Sequence, residues 1–118
     1  MRLNEVSYTD AKPVEGYGPG FFRIGGEVIE GGALTSALGT GPWAGYADVA
    51  ALTALAGQVD VLFLGTGTEI AHIPADLRQA LDSAGVGVEV MSSPSAARTY
   101  NVLLSEGRRV ALAVLPVG

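Results

Sequence analysis

The stretch that decides the fold is residues 59–115, VDVLFLGTGTEIAHIPADLRQALDSAGVGVEVMSSPSAARTYNVLLSEGRRVALAVL. Continuous apolar runs, typical of buried strands, alternate there with segments whose apolar side chains recur at helical spacing. Because strands joined through helices must run parallel, the alternation predicts a parallel sheet with helices on both faces. The predicted strands are residues 59–64, 86–91 and 110–115.

Start signals place a helix before each predicted strand. Asp48 is suited to cap a first helix that ends at Gly57, and Pro74 is suited to the first turn of a second. The pair Ser93-Pro94 joins a capping hydroxyl to a proline and predicts a third helix with Ser93 as its cap. The order helix–strand is therefore repeated three times.

The chain before residue 47 follows a different pattern. Residues 21–38 hold short apolar runs separated by glycine pairs, which predict an antiparallel meander of two or three strands. Residues 1–20 are polar, end in Gly-Tyr-Gly-Pro-Gly and are interpreted as a lead-in. The prediction is an α/β fold: one domain over residues 21–118, with a mixed sheet in which the meander precedes alternating helices and parallel strands.

Composition excludes several classes of protein. The chain has no cysteine and a single histidine, so thiolate chemistry and multi-histidine metal sites are excluded, and we expect neither a metal nor a cofactor. Seven basic residues against twelve acidic ones give a net charge of −5, which argues against nucleic-acid binding. The longest apolar runs are about eight residues, far short of the roughly 20 that span a membrane. The N-terminus also lacks the apolar core of a secretory signal, so we expect a cytoplasmic protein.

The turn Gly65-Thr66-Gly67 follows a predicted strand, at the edge where open α/β sheets bind ligands. It has neither the third glycine of a dinucleotide-binding loop nor the lysine of a P-loop. Two interpretations remain open: a tight strand exit, or a backbone cradle for a small anion. His72 lies in the same loop and is either a structural group or a general base.

Residues 92–101, SSPSAARTYN, form the densest polar cluster of the sequence. Arg98 and Asn101 are three apart on the predicted helix and share a face. The Arg98 guanidinium, nearby serine hydroxyls such as that of Ser93, and helix amides could converge on an anion. Alternatively, these groups cap the helix and tie loops together.

Residues 106–109, EGRR, read as the end of the third helix, since glycine suits a left-handed cap and arginine favours the helix C-terminus. We assign Glu106 and Arg108 a structural role. A contact from Glu106 to Arg98 or Arg108 would brace the polar cluster.

The run Arg98-Thr99-Tyr100-Asn101, followed by Glu-Gly-Arg at 106–108 and preceded by the Gly-Thr-Gly turn, resembles a small family of largely uncharacterised prokaryotic proteins. That family also contains the mitochondrial respiratory complex I assembly factor 3. The resemblance implies an α/β fold with a β-rich N-terminal part, no established catalytic activity and, for mitochondrial members, a role in building that complex. It marks eight matching positions, which are Gly65, Gly67, Arg98, Thr99, Tyr100, Asn101, Glu106 and Arg108.

The sequence therefore predicts a non-enzymatic interaction module similar to the complex I assembly factors, with no catalytic residue. The expected partner is a protein, such as a respiratory complex subunit or an assembly protein, and self-association is a further option. The alternative is a protein or enzyme that binds a small anion or other small ligand. Its site would be formed by Gly65, Thr66, Gly67, His72, Ser93, Arg98, Tyr100 and Asn101.

Overall fold

The computed structural model describes residues 11–118, and its central element is a strand in which every residue is buried. That strand, β8, reads Val-Ala-Leu-Ala-Val and has no polar side chain because protein covers both of its faces. The described elements are, in chain order, β1 (Val14–Gly18), β2 (Phe21–Ile24), β3 (Glu27–Glu30), β4 (Ala33–Ser36), β5 (Gly39–Pro42), α1 (Val49–Thr53), β6 (Val61–Gly65), α2 (Ala75–Ala84), β7 (Val88–Met91), α3 (Ser93–Ser105) and β8 (Val110–Val114).

A five-stranded sheet organises the domain, in the order β5-β4-β8-β6-β7. The pairs β8–β6 and β6–β7 are parallel, as the alternation of helices and strands predicts, while β4 and β5 extend the sheet antiparallel. Separate apolar clusters fill the two faces. One contains Tyr100 of α3, and the other contains Leu77 and Leu81 of α2. The predicted mixed α/β domain is confirmed.

The predicted meander is divided between two sheets. Strands β2 and β3 form the expected hairpin, but the next strand, β4, leaves it and pairs with β8 in the larger sheet. The chain changes sheets at Gly31-Gly32, where a Cβ on Gly32 would lie 2.6 Å from the carbonyl oxygen of Trp43. Pairing with β8 sets Ala33 opposite Val114 and buries both side chains, which favours this arrangement over a continuous hairpin.

Pairing in the smaller sheet begins earlier than the predicted boundary at residue 21. Strand β1 lies within the stretch interpreted as a polar lead-in, yet it pairs antiparallel with β2 to complete a three-stranded sheet, β1-β2-β3. Gly20, with φ of 78°, makes the tight turn between the two strands. Alternation explains the polar appearance, because Val14 is buried while Glu15 and Tyr17 are exposed. The rest of the predicted lead-in, residues 1–10, lies outside the described residues.

The helix starts agree closely with the sequence signals. Asp48 caps α1 by accepting a hydrogen bond from the Ala51 N–H at 3.4 Å. For α3 the predicted cap was wrong by one residue: Ser92 caps the helix, while the Ser93 side chain is buried. Among the residues that the structure describes, no helix combines the length and apolar character needed to cross a bilayer.

Candidate functional site

Ser93 and the turn after β6 are packed directly against each other. The Ser93 hydroxyl donates to the Leu115 carbonyl oxygen at 2.7 Å and accepts from the Gly67 N–H at 2.9 Å. The Ser93 N–H in turn donates to the Gly67 carbonyl oxygen at 2.7 Å. Gly65 permits this approach, since a Cβ there would lie 2.6 Å from the Ser93 Cα. Ser93 therefore occupies the position that the cradle interpretation reserved for an anion.

Other groups of the turn also have protein partners. The Thr66 N–H donates to the Met91 carbonyl oxygen at 2.9 Å. The Thr66 hydroxyl lies 2.7 Å from the Glu69 carbonyl oxygen and accepts from the Ala71 N–H at 3.0 Å. These bonds shape the loop between β6 and α2. The geometry agrees with a tight strand exit, because Thr66 and Gly67 use their amides for internal bonds.

Tyr100 and Asn101 connect α3 to the smaller sheet. The buried Tyr100 hydroxyl donates to the Lys12 carbonyl oxygen at 2.8 Å. The Asn101 side chain accepts from the Val14 N–H at 2.9 Å and donates to the Val14 carbonyl oxygen at 2.8 Å. Burial raises the pKa of Tyr100, and a hydrogen bond with Thr35 acts in the opposite direction. Both residues hold the start of β1 in place.

Arg98 lies on the same helix but faces solvent. Its Nη2 is 3.4 Å from the Ser95 hydroxyl, a long and exposed contact. Its side chain lines a groove of about 160 Å³ between α3 and β1, together with Glu15, Tyr17 and Pro94. The Glu15 carboxylate is engaged by the Gly26 N–H at 2.9 Å. Arg98 therefore does not converge with the Gly-Thr-Gly turn.

His72 belongs to a third location. It is exposed and lines a groove of about 280 Å³ with Ile70, Arg78 and Val90. The structure thus separates the predicted site residues into three places: Gly65, Thr66, Gly67 and Ser93 at the end of β6; Arg98, Tyr100 and Asn101 beside β1; and His72 near the edge of the sheet. They do not form a single cavity.

Glu106 and Arg108 lie at the C-terminal end of α3. Gly107 adopts φ of 82°, and the Arg108 N–H donates to the Leu103 carbonyl oxygen at 3.0 Å, so this segment ends the helix as expected. Across residues 11–118, the ion pair that forms nearby joins Arg109 to Asp60 at 2.9 Å, and Glu106 makes none. The predicted brace from Glu106 is absent from this arrangement.

Sequence reasoning did not single out Ile70, Arg78 or Val90. Ile70 is 67% exposed, the highest value among the large apolar side chains that the structure describes. These residues come from a loop, a helix and a strand and do not form a sequence motif. Only the folded structure shows that they line one groove. Within residues 11–118, His, Cys, Asp and Glu side chains do not assemble into a group of three that could hold a metal ion.

Comparison with solved structures confirms the fold. A crystal structure described as an outer membrane protein from Bartonella henselae superposes with a TM-score of 0.82 at 32% identity, covering 92% of this chain and 97% of that one. The similarity therefore extends over nearly the whole of both molecules.

Comparison with known sequences identifies several relatives. An uncharacterised protein of Rhodobacter capsulatus is 56% identical over 117 residues, covering 99% of this chain and 94% of its relative. The NADH dehydrogenase [ubiquinone] 1 alpha subcomplex assembly factor 3 of Danio rerio is 41% identical over 59 residues, which are 50% of this chain and 34% of the factor. A family model described as "Protein of unknown function (DUF498/DUF598)" matches residues 14–115. The chain belongs to that family.

Proposed function

We propose that this protein is a non-enzymatic interaction module that contacts a protein partner during the assembly of a respiratory complex. The proposal combines two supports. One is the similarity to complex I assembly factor 3, which extends over 59 residues and about a third of that factor's length. The other is that polar side chains of α3 form hydrogen bonds within the protein.

The observation that carries the proposal is the internal use of these polar groups. Ser93, Tyr100 and Asn101 each bond the backbone of a distant part of the chain at 2.7–2.9 Å. Side chains that are hydrogen-bonded inside the fold are not available to bind a substrate. We therefore expect the protein to act through contacts of its outer surface. An exposed apolar side chain beside a groove, such as Ile70, suits contact with another protein.

We also propose a cytoplasmic location. The chain contains no cysteine, so its fold does not depend on an oxidising compartment. Separation of native cells into soluble, membrane and envelope fractions, followed by detection with an antibody, tests the location. Recovery of the protein in the envelope fraction would contradict it.

Deletion of the gene in the native organism tests the function. We expect membranes from the deletion strain to contain less assembled complex I and to show lower NADH:ubiquinone activity, with restoration by the wild-type gene. Succinate:ubiquinone activity of the same membranes is the control for general damage. Normal complex I content and activity in the deletion strain would contradict the proposal.

We propose a ligand site in the Arg98 groove as the second candidate. The observation in its favour is an exposed guanidinium at the edge of a groove of about 160 Å³. Titration with inorganic phosphate, followed by amide shifts in NMR, would show saturable changes at Ser95 and Tyr17 if an anion binds there. Arg98→Ala should abolish those changes. Identical titrations of both proteins would exclude this candidate.

A further inference from the structure

Strand β7 is an outer strand of the five-stranded sheet in the part of the chain that the structure describes. It pairs with β6 on one side, from Val88 opposite Leu62 to Met91 opposite Gly65. A strand in this position carries backbone donors and acceptors along its other side, and these can receive a further strand. Its four residues include Glu89, which is exposed, and Val90, which is half-buried.

The hydrogen-bond pattern identifies which backbone groups point outward. The Leu62 N–H donates to the Gly87 carbonyl oxygen at 2.8 Å, and the Thr66 N–H donates to the Met91 carbonyl oxygen at 2.9 Å. In a parallel pair, alternate residues of one strand bond the neighbour. Residues 87, 89 and 91 therefore face β6, while Val88 and Val90 direct their N–H and C=O groups to the open side.

A groove lies beside this outer edge. It has a volume of about 280 Å³, and its lining includes the apolar side chains of Ile70 and Val90 and the polar side chains of His72 and Arg78. Val88 and Val90 pack with the apolar cluster on the α2 face of the sheet. An added strand would therefore direct alternate side chains over this groove and the remaining side chains toward the face of Glu89.

Charge disfavours a second copy of this chain as the occupant in the register that is centred on Glu89. Two β7 strands paired antiparallel around Glu89 would set two glutamates directly opposite each other, an arrangement that destabilises a strand pair. The same carboxylate favours a segment with Lys or Arg at that position. The occupant that fits is a strand with apolar side chains on one face and a basic side chain on the other.

We propose that the outer edge of β7 binds an extended segment of a partner protein as an added strand, with an apolar side chain against Ile70 and Val90 and a basic side chain beside Glu89. This mode of recognition takes its affinity from main-chain hydrogen bonds and its specificity from alternate side chains. The inference rests on the proposed function, for which it names the docking surface and the chemistry of the partner.

Two short peptides test the edge directly. The probe acetyl-Val-Lys-Ile-Lys-Val-amide carries the required pattern, and acetyl-Val-Glu-Ile-Glu-Val-amide is its charge-reversed control. In NMR titrations, the first peptide should shift amides of residues 86–91 and of Ile70, and the second should bind about tenfold more weakly or not at all. Shifts located elsewhere, or equal binding of both peptides, would overturn the proposal.

Substitutions at Val90 separate backbone pairing from side-chain contact. Val90→Pro removes an outward N–H without removing a bond to β6, and proline is tolerated at a strand edge in this position. Val90→Ala shortens the side chain but keeps the N–H. We expect Val90→Pro to weaken the lysine peptide about tenfold relative to Val90→Ala. Equal affinities for the two variants would exclude strand addition.

Reversal of one charge checks the register. Glu89→Lys should exchange the preference, so that the glutamate peptide binds more tightly than the lysine peptide. An unchanged preference would overturn the assigned pairing. Sedimentation of the wild-type protein tests whether a second copy of the chain binds β7 instead. A dimer that Val90→Pro dissociates would show that it does and would overturn the proposal.

Complementation in cells distinguishes failure of the edge from failure of the proposed function. In a deletion strain with reduced complex I content, Val90→Ala should restore assembly and Val90→Pro should not. If both variants restore it, the edge proposal fails while the function stands. If deletion leaves complex I unchanged, the proposed function fails, and the peptide titrations still decide whether the edge accepts a strand.

Discussion

The side-chain amide of Asn101 bonds both backbone groups of Val14, a residue 87 positions earlier in the chain. Its oxygen accepts from the Val14 N–H at 2.9 Å, and its nitrogen donates to the Val14 carbonyl oxygen at 2.8 Å. A planar amide offers a donor and an acceptor side by side, so Asn101 pairs with β1 much as a neighbouring strand would. Through this pair, α3 is joined to the smaller sheet.

Asn101→Ala should lower the free energy of unfolding by about 1–3 kcal/mol, because the backbone of the buried Val14 loses both partners. Urea unfolding followed by circular dichroism measures the change. Arg98→Ala, one turn earlier and exposed, is the matched control, with an expected change within about 0.5 kcal/mol. Equal effects of the two substitutions would contradict the assigned role of Asn101.

Gly65→Ala should destabilise the protein strongly. The added Cβ would lie 2.6 Å from the Ser93 Cα and 2.8 Å from the Val114 Cγ1, so backbone of α3 would have to move. Forced overpacking of this kind costs about 1–3 kcal/mol. Gly16→Ala is the control, since a Cβ at that position would meet no other part of the chain within 4 Å. Equal thermal unfolding temperatures for the two variants would contradict this close packing.

Ser93→Ala should also be destabilising, because it leaves the Leu115 carbonyl oxygen and the Gly67 N–H without their buried partner. The expected loss is about 1–3 kcal/mol for each group that stays unsatisfied. Ser95→Ala removes a half-buried hydroxyl whose side-chain contact, to Arg98, is 3.4 Å long, and it should change stability little. A Ser93→Ala protein as stable as the Ser95→Ala protein would refute the structural assignment of Ser93.

Stability should fall at high pH through Tyr100. Burial raises the pKa of its hydroxyl, against a smaller effect of the Thr35 hydrogen bond, so the folded state keeps this proton longer than the unfolded chain does. The contribution is complete below the unfolded pKa of about 10 and is lost as pH rises through the folded pKa. Urea unfolding from about pH 8 to pH 11 measures the slope.

Tyr100→Phe should reduce that slope without removing it, because burial also raises the pKa of Tyr46. If Tyr100→Phe shows the full wild-type slope, the titration responsible lies elsewhere.

Local sequence patterns were sufficient to predict the parallel half of the fold. The apolar runs that end near Gly65 and begin at Val110 are strands in the structure, and Asp48 caps the helix that it was predicted to cap. The end of α3 was also predicted from local chemistry, since Gly107 adopts the positive φ expected of a left-handed cap. These features depend on interactions within a few residues, which is the range that a sequence pattern reports.

The arrangement of the candidate site could be predicted less well from the sequence. Ser92 and Ser93 are adjacent hydroxyls at a helix start, and only packing against Gly65 and Gly67 determines which of them caps and which is buried. The alternative of a ligand site groups Arg98 with the Gly-Thr-Gly turn, but in the structure Arg98 lines the groove between α3 and β1. Helical spacing shows which residues share a face of a helix. The direction of that face depends on how the helix is rotated on the sheet, which the spacing does not determine.

The sequence by itself determined the helices and parallel strands after residue 47, their order and the parallel pairing of the core, because periodicity, caps and short connections act locally. Tertiary structure alone decided that β4 leaves the meander for β8, that Asn101 holds Val14, and that an outer strand lies beside Ile70. Each of these depends on contacts between residues from different segments of the chain, which the packing of the two apolar clusters brings together.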